Sequence, residues 1–88
     1  MLTPKEKEKI INEYELHQAD TGSADVQIAL LSEDIKKLLK HLKKFPKDQH
    51  SRRGLLKMVI KRKKLLKYLK KENIRRYNSM AKKLGLKK

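Results

Sequence analysis

The sequence predicts an all-α protein of four helices, a long antiparallel helical hairpin flanked by a short N-terminal and a short C-terminal helix. Three observations lead there. Apolar residues recur at spacings of three and four, and strand-like alternation is found nowhere. Fourteen leucines and a single phenylalanine suit helix-on-helix packing better than an aromatic-rich β core. Capping residues and helix breakers punctuate the chain where the apolar stripes stop. At 88 residues the chain is expected to form one domain, residues 1–88.

Each element has its own warrant. Thr3-Pro4-Lys5-Glu6 is a capping box, in which the Thr and Glu side chains satisfy amides that a helix start leaves orphaned. Ile10, Ile11 and Tyr14 then give a short amphipathic helix over about 4–15. His17 to Gly22 reads as a loop. Ser23 is a plausible cap for the next helix, with Asp25 well placed at its positive end. That helix is expected over 24–44, with Ile28, Leu31, Ile35, Leu38 and Leu42 spaced as in a bundle seam. Phe45-Pro46 ends it, because a residue before proline avoids the α region. Asp48 caps a third helix over 49–71, whose main stripe is Leu55, Val59, Leu66 and Leu69. Leu56 and Ile60 suggest a second buried face. Asn73 caps a fourth helix with the stripe Ile74, Tyr77, Ala81 and Leu84, and Gly85 closes it.

Composition narrows the function. The chain holds 25 Lys and Arg against 10 Asp and Glu, a net charge of +15. Leu, Ile, Val and Phe make 23 of the 88 residues, above the roughly one-fifth level below which so charged a chain stays unfolded. The charge is uneven. Residues 1–34 carry 3 Lys and 8 acids, a balance of −5, whereas residues 35–88 carry 22 basic residues and 2 acids, a balance of +20. A concentrated cationic field speeds encounter with a polyanion and adds affinity by counterion release. Cysteine is absent, which excludes disulfides and thiolate chemistry. No apolar run approaches the roughly 20 residues of a membrane span, and the start MLTPKEKEK is not expected to act as a secretory signal.

Two polar clusters follow from the hairpin. A helix of about 21 residues is about 30 Å long, so the region before it and the turn after it stand that far apart. At the turn gather His41, Asp48, His50 and Ser51. Such a set can read the wide minor groove of an RNA helix. From the residues alone, capping of the third helix by Asp48 or Ser51 is the favoured reading of the two. A metal site or a His-Asp-Ser hydrolase is less well supported, since the ligand spacing is weak and no nucleophile elbow is present. At the other end, Tyr68 returns close to Thr21, Gly22 and Gln27. Tyr68 lies away from the apolar stripe among Lys57, Lys61, Lys64 and Lys71, where it could stack on a base or pack against the terminal helix. Seven basic residues fall between 61 and 71 with no acid, a pattern that favours phosphate contact over a merely solvated face. Gly54 suggests the close approach of a helix or a ligand backbone.

The stretches TGSADVQIALL (21–31), HLKKFPKDQHSRRGLLKMV (41–59), LLKYLKK (65–71) and RRYNSMAKKLGL (75–86) resemble the family of bacterial small-subunit ribosomal protein fifteen, over essentially the whole chain. The resemblance implies a non-enzymatic, ribosome-bound cytoplasmic protein, monomeric when free, with no cofactor, metal or membrane. Its implied partner is the central domain of small-subunit ribosomal RNA, where it fixes a three-way junction and nucleates assembly with neighbouring platform proteins. Thr21, Gly22, Gln27 and Tyr68 match the family's junction-contacting positions. His41, Asp48 and Ser51 match those that read a G·U/G·C element in the minor groove of one arm. Lys64 and Lys71 match positions facing phosphates, and Lys47, His50 and Arg52 complete the expected RNA-binding set. Contact with large-subunit RNA and, in some members, binding of the protein's own messenger RNA are also implied. The family turn commonly reads HKKDHHS, where this chain has Phe45-Pro46-Lys47-Asp48-Gln49-His50-Ser51, so contacts made by the two replaced histidines are not carried over. A basic helical protein acting on membranes or DNA is the competing class. It would bind anionic vesicles or duplex DNA with little preference for folded RNA.

Overall fold

Capping chemistry sets the ends of the helices in the computed structural model, which describes residues 2–14 and 23–85. Every regular element among them is an α-helix: α1 (Pro4–Tyr14), α2 (Ala24–Lys44), α3 (Gln49–Glu72) and α4 (Ile74–Leu84). The box at α1 is reciprocal. The Glu6 amide donates to Thr3 Oγ1 at 3.2 Å, and the Thr3 amide donates to Glu6 Oε1 at 3.1 Å. Ser23 caps α2 by accepting from the Val26 amide, Asp48 caps α3 by accepting from the Ser51 amide, and Asn73 caps α4 by accepting from the Arg76 amide. Gly85 closes α4 at φ 67°, a left-handed conformation that strains any side chain. The predicted loop over 17–22 and the last predicted residue of α1 lie outside the described residues.

α2 and α3 pack against each other along their length. Leu69 shares a core with Ile28 and Ala29, Arg62 reaches Ser32, and Leu38 approaches Gly54. As the α3 numbers fall the α2 numbers rise, which is an antiparallel pairing. The core is made of Leu2 and Ile10 from α1's end of the chain, Ile28 and Ala29 from α2, Leu69 from α3 and Met80 from α4, all buried. Leu65, Leu66, Tyr77 and Leu84 pack around it, partly buried. α1 lies on α2, tied there by the Lys37 ammonium, which donates to Glu6 Oε1 at 2.6 Å.

Two predicted faces are corrected. Leu56 and Ile60 form no second buried face. They are 61% and 45% exposed. The cover that the prediction required is α4, and its 11 residues extend only about 16 Å. α4 packs near Leu69, whereas Leu56 lies 13 residues, about 20 Å, further along α3. Ile74 is likewise half-exposed, because it opens α4 beyond the end of the core. Met80 takes its place, so the working stripe is Tyr77, Met80, Ala81 and Leu84. α3 itself buries only Leu69 among its described residues, with Leu55, Val59 and Leu66 half-buried. A molecule 18 Å thin leaves one side of such a helix in water.

Candidate nucleic-acid interface

The turn from α2 to α3 brings His41, Asp48 and Ser51 into direct contact. One oxygen of Asp48 accepts from the Ser51 amide at 3.0 Å. The other accepts from the Ser51 hydroxyl at 2.7 Å and meets His41 Nε2 at 2.8 Å. These bonds hold the Asp48 carboxyl well below the usual carboxylate range. The Ser51 amide contributes most, followed by His41 and then the Ser51 hydroxyl. Asp48 is thus a helix cap and the hub of the cluster at once. The carboxylate stands between imidazole and hydroxyl, the reverse of a hydrolytic triad, where the imidazole lies next to the nucleophile. The cluster can therefore present hydrogen-bonding edges but cannot activate a nucleophile.

Its neighbours are fixed by the same turn. The Phe45 ring packs on the His41 ring with centroids 4.9 Å apart. Arg52 Nε donates to the Pro46 carbonyl at 2.9 Å, and the Asp48 amide donates to the Phe45 carbonyl at 3.1 Å. Lys47 and His50 are exposed. His41, His50 and Ser51 line a groove of about 400 Å³ together with Lys37, Leu38 and Gly54. A Cβ on Gly54 would sit 3.9 Å from Leu38, an ordinary contact, so the approach of α2 does not require glycine there.

The second cluster is reached by α3. Tyr68 is 58% exposed, whereas Tyr77 and Met80 of α4 pack into the core around Leu69. Lys57, Lys61, Lys63, Lys64, Lys67 and Lys71 are exposed on the same helix. Two basic residues of this run are partly diverted. Arg62 donates to the buried Ser32 hydroxyl at 3.2 Å, and the Lys70 ammonium lies 5.5 Å above the Tyr77 ring. Gln27 is half-buried in the first turn of α2. It neighbours Ile28, which shares the core with Leu69, the neighbour of Tyr68, so Gln27 and Tyr68 lie at the same end of the hairpin. Thr21 and Gly22 lie outside the described residues.

Sequence reasoning missed the ion pair between buried Asp25 and partly buried Arg76, which clamps α4 to the start of α2. It also missed Glu6–Lys37 and Ser32–Arg62. These partners lie 51, 31 and 30 residues apart, so no local spacing announces them. Among the described residues, no group of three or more His, Asp or Glu is arranged to hold a metal ion. None of the described helices is long and apolar enough to cross a membrane.

A bonded polar turn at one end and an exposed aromatic in a lysine field at the other define a class, a small basic all-helical binding protein. Comparison with known proteins makes this particular. The family model for Ribosomal protein S15 matches residues 7–87. The small ribosomal subunit protein uS15 of Desulforamulus reducens is 55% identical over 87 residues, 99% of this chain and 98% of that protein. Its namesake in Caldanaerobacter subterraneus subsp. tengcongensis is 54% identical over 88 residues, the whole of both chains. That of Thermotoga petrophila is 52% identical over 87 residues, 99% and 97% of the two chains. The chain belongs to the ribosomal protein S15 family, a family of structural, non-enzymatic proteins.

Proposed function

We propose that the protein is a structural constituent of the small ribosomal subunit and grips its ribosomal RNA at two points. One end, Tyr68 with Gln27, Thr21 and Gly22, meets a three-way junction in the central domain. The other end, His41, Asp48 and Ser51, reads a G·U/G·C element in the minor groove of one arm, with Lys47, His50 and Arg52 at its margin. Lys64 and Lys71 face phosphates between the two. The observation that supports this most is the separation of the clusters. α2 spans 21 residues, about 30 Å, and its packing against α3 makes that span rigid. A caliper of fixed opening selects an RNA whose junction and groove lie at the matching distance. The cationic face adds affinity that is blind to sequence.

In this reading the bound protein fixes the junction so that neighbouring platform proteins can join. Monomeric when free, it works on the ribosome in the cytoplasm, where it also contacts large-subunit RNA across the interface, and it binds its own messenger RNA as some members of the family do. Chemical footprinting of small-subunit RNA tests the proposal. The expected result is protection at a three-way junction and at a minor-groove site about 30 Å away along one arm. Protection confined elsewhere, or equal affinity for anionic vesicles or duplex DNA, overturns it.

A further inference from the structure

The turn between α2 and α3 carries an aromatic ring that the two-point grip leaves unused. Phe45 packs one face on His41, with the ring planes inclined at 35°. The residue is nevertheless 57% exposed, so its other face looks outward. Its position is fixed by the backbone. The Phe45 amide donates to the His41 carbonyl at 2.9 Å, and its carbonyl accepts from the Asp48 amide at 3.1 Å. Pro46 follows with φ locked by its ring, and its carbonyl is held by Arg52. An exposed ring held this way has little conformational freedom left to lose on binding.

Beside the ring lies a groove of about 520 Å³, which Phe45 and Pro46 line together with Lys44 and Lys47. His41 and Asp48 line it as well, so it is continuous with the polar cluster. A flat apolar surface with two lysines beside it calls for a ligand with a flat apolar body and an anion a few ångströms away. A nucleotide has that chemistry, base and phosphate being joined through one sugar. Base–aromatic stacking accepts any base, because every base has a π-face.

We propose that Phe45 is a stacking shelf for one unpaired nucleotide of the bound RNA, with the base on the outer face of the ring and its phosphate between Lys44 and Lys47. This rests on the reading that the turn meets RNA.

The test uses two single-stranded probes with equal phosphate counts, an adenine hexanucleotide and its abasic counterpart. The full-length protein is expected to bind the adenine probe about fivefold or more tightly than the abasic one, with upfield shifts of the Phe45 ring protons on binding. Tyr68 is a second exposed ring, so the comparison is repeated in Tyr68→Ala, where the Phe45 shifts and a base preference should persist. Phe45→Ala and Phe45→Leu, the latter keeping an apolar support for His41, should lose the share of the preference that remains in Tyr68→Ala. Phe45→Trp should keep it. Equal affinity for the two probes in Tyr68→Ala, or a preference there that survives Phe45→Leu, overturns the shelf. Preference for junction RNA over random duplex is measured alongside. If it holds while the base preference fails, the shelf alone is wrong. If it fails while the base preference holds, the junction reading is wrong and the shelf stands.

Discussion

The α2–α3 turn and the outer face of α3 are both polar, yet they are built in opposite ways. At the turn, Asp48 accepts from the Ser51 amide, the Ser51 hydroxyl and His41, while Arg52 holds the loop backbone. On α3, Lys61, Lys63, Lys64, Lys67 and Lys71 stand in water, and none of the ion pairs found among the described residues involves them. The turn spends its hydrogen bonds on holding a shape. The lysines keep their charge available and hold no particular geometry. Geometry can discriminate between ligands, whereas a mobile charge only attracts them. Substitutions in the two regions should therefore fail differently.

The largest effect should come from the core on which both regions are mounted. Leu69 is fully buried at the Tyr68 end of the hairpin, where α2, α3 and α4 meet. Leu69→Ala should cost about 2–5 kcal/mol in urea unfolding, and RNA binding at both ends should weaken together. A loss below about 1 kcal/mol would mean that the core around Leu69 closes up over the gap.

Asp48→Ala comes next. Removing the cap should lower stability by about 1–2 kcal/mol. Preference for the cognate junction over random duplex RNA should fall about tenfold. Asp48→Asn, which still caps, should recover most of the stability but less of the preference. If junction and duplex binding drop equally in Asp48→Ala, the residue is a cap and nothing more. Lys64→Ala should contrast with this. It should weaken binding to every RNA alike by a few-fold and reduce the salt slope by about 1. A loss confined to the junction would place Lys64 among the discriminating residues.

The smaller effects concern supports of the turn. Gly54→Ala should raise stability by about 0.5–1 kcal/mol in thermal unfolding, since the added methyl meets Leu38 at an ordinary distance and helical glycine is costly. Destabilisation would show that α2 and α3 are packed more tightly there than 3.9 Å implies. Glu6 should produce the smallest and most local effect. The Lys37 ammonium first, then the Thr3 amide, lower its pKa from 4.5 to about 2. A depressed carboxyl stabilises the fold above its ordinary pKa and loses that contribution as pH falls through the folded value. Protection of α1 in amide exchange should therefore fade between about pH 4.5 and 2, and Glu6→Gln should lack that step. An identical acid profile in Glu6→Gln would remove Glu6 from the docking of α1.

Much of this was legible along the chain because it is local. The Thr3–Glu6 box, the Ser23, Asp48 and Asn73 caps and the left-handed Gly85 each depend on residues within about one helical turn. The polar turn was legible in the same way, since Asp48 and Ser51 are three residues apart and His41 lies seven before Asp48. What escaped was which faces find cover. Leu56, Ile60 and Ile74 carry the periodicity of buried residues and are exposed. Periodicity shows that a helix has an apolar side, but not whether a neighbour is long enough to reach it.

The sequence by itself determined four helices, their caps, a cationic second half and a polar turn about 26 Å from Tyr68, since all of these follow from short-range sterics, hydrogen bonding and charge. Only the tertiary structure decided that Asp25 is buried against Arg76, that Glu6 ties α1 to Lys37, that Arg62 is drawn inward by Ser32, and that Tyr68 rather than Tyr77 faces water. Those outcomes depend on partners 30 to 51 residues away, which meet only once the hairpin has closed and the short α4 has docked on one end of it.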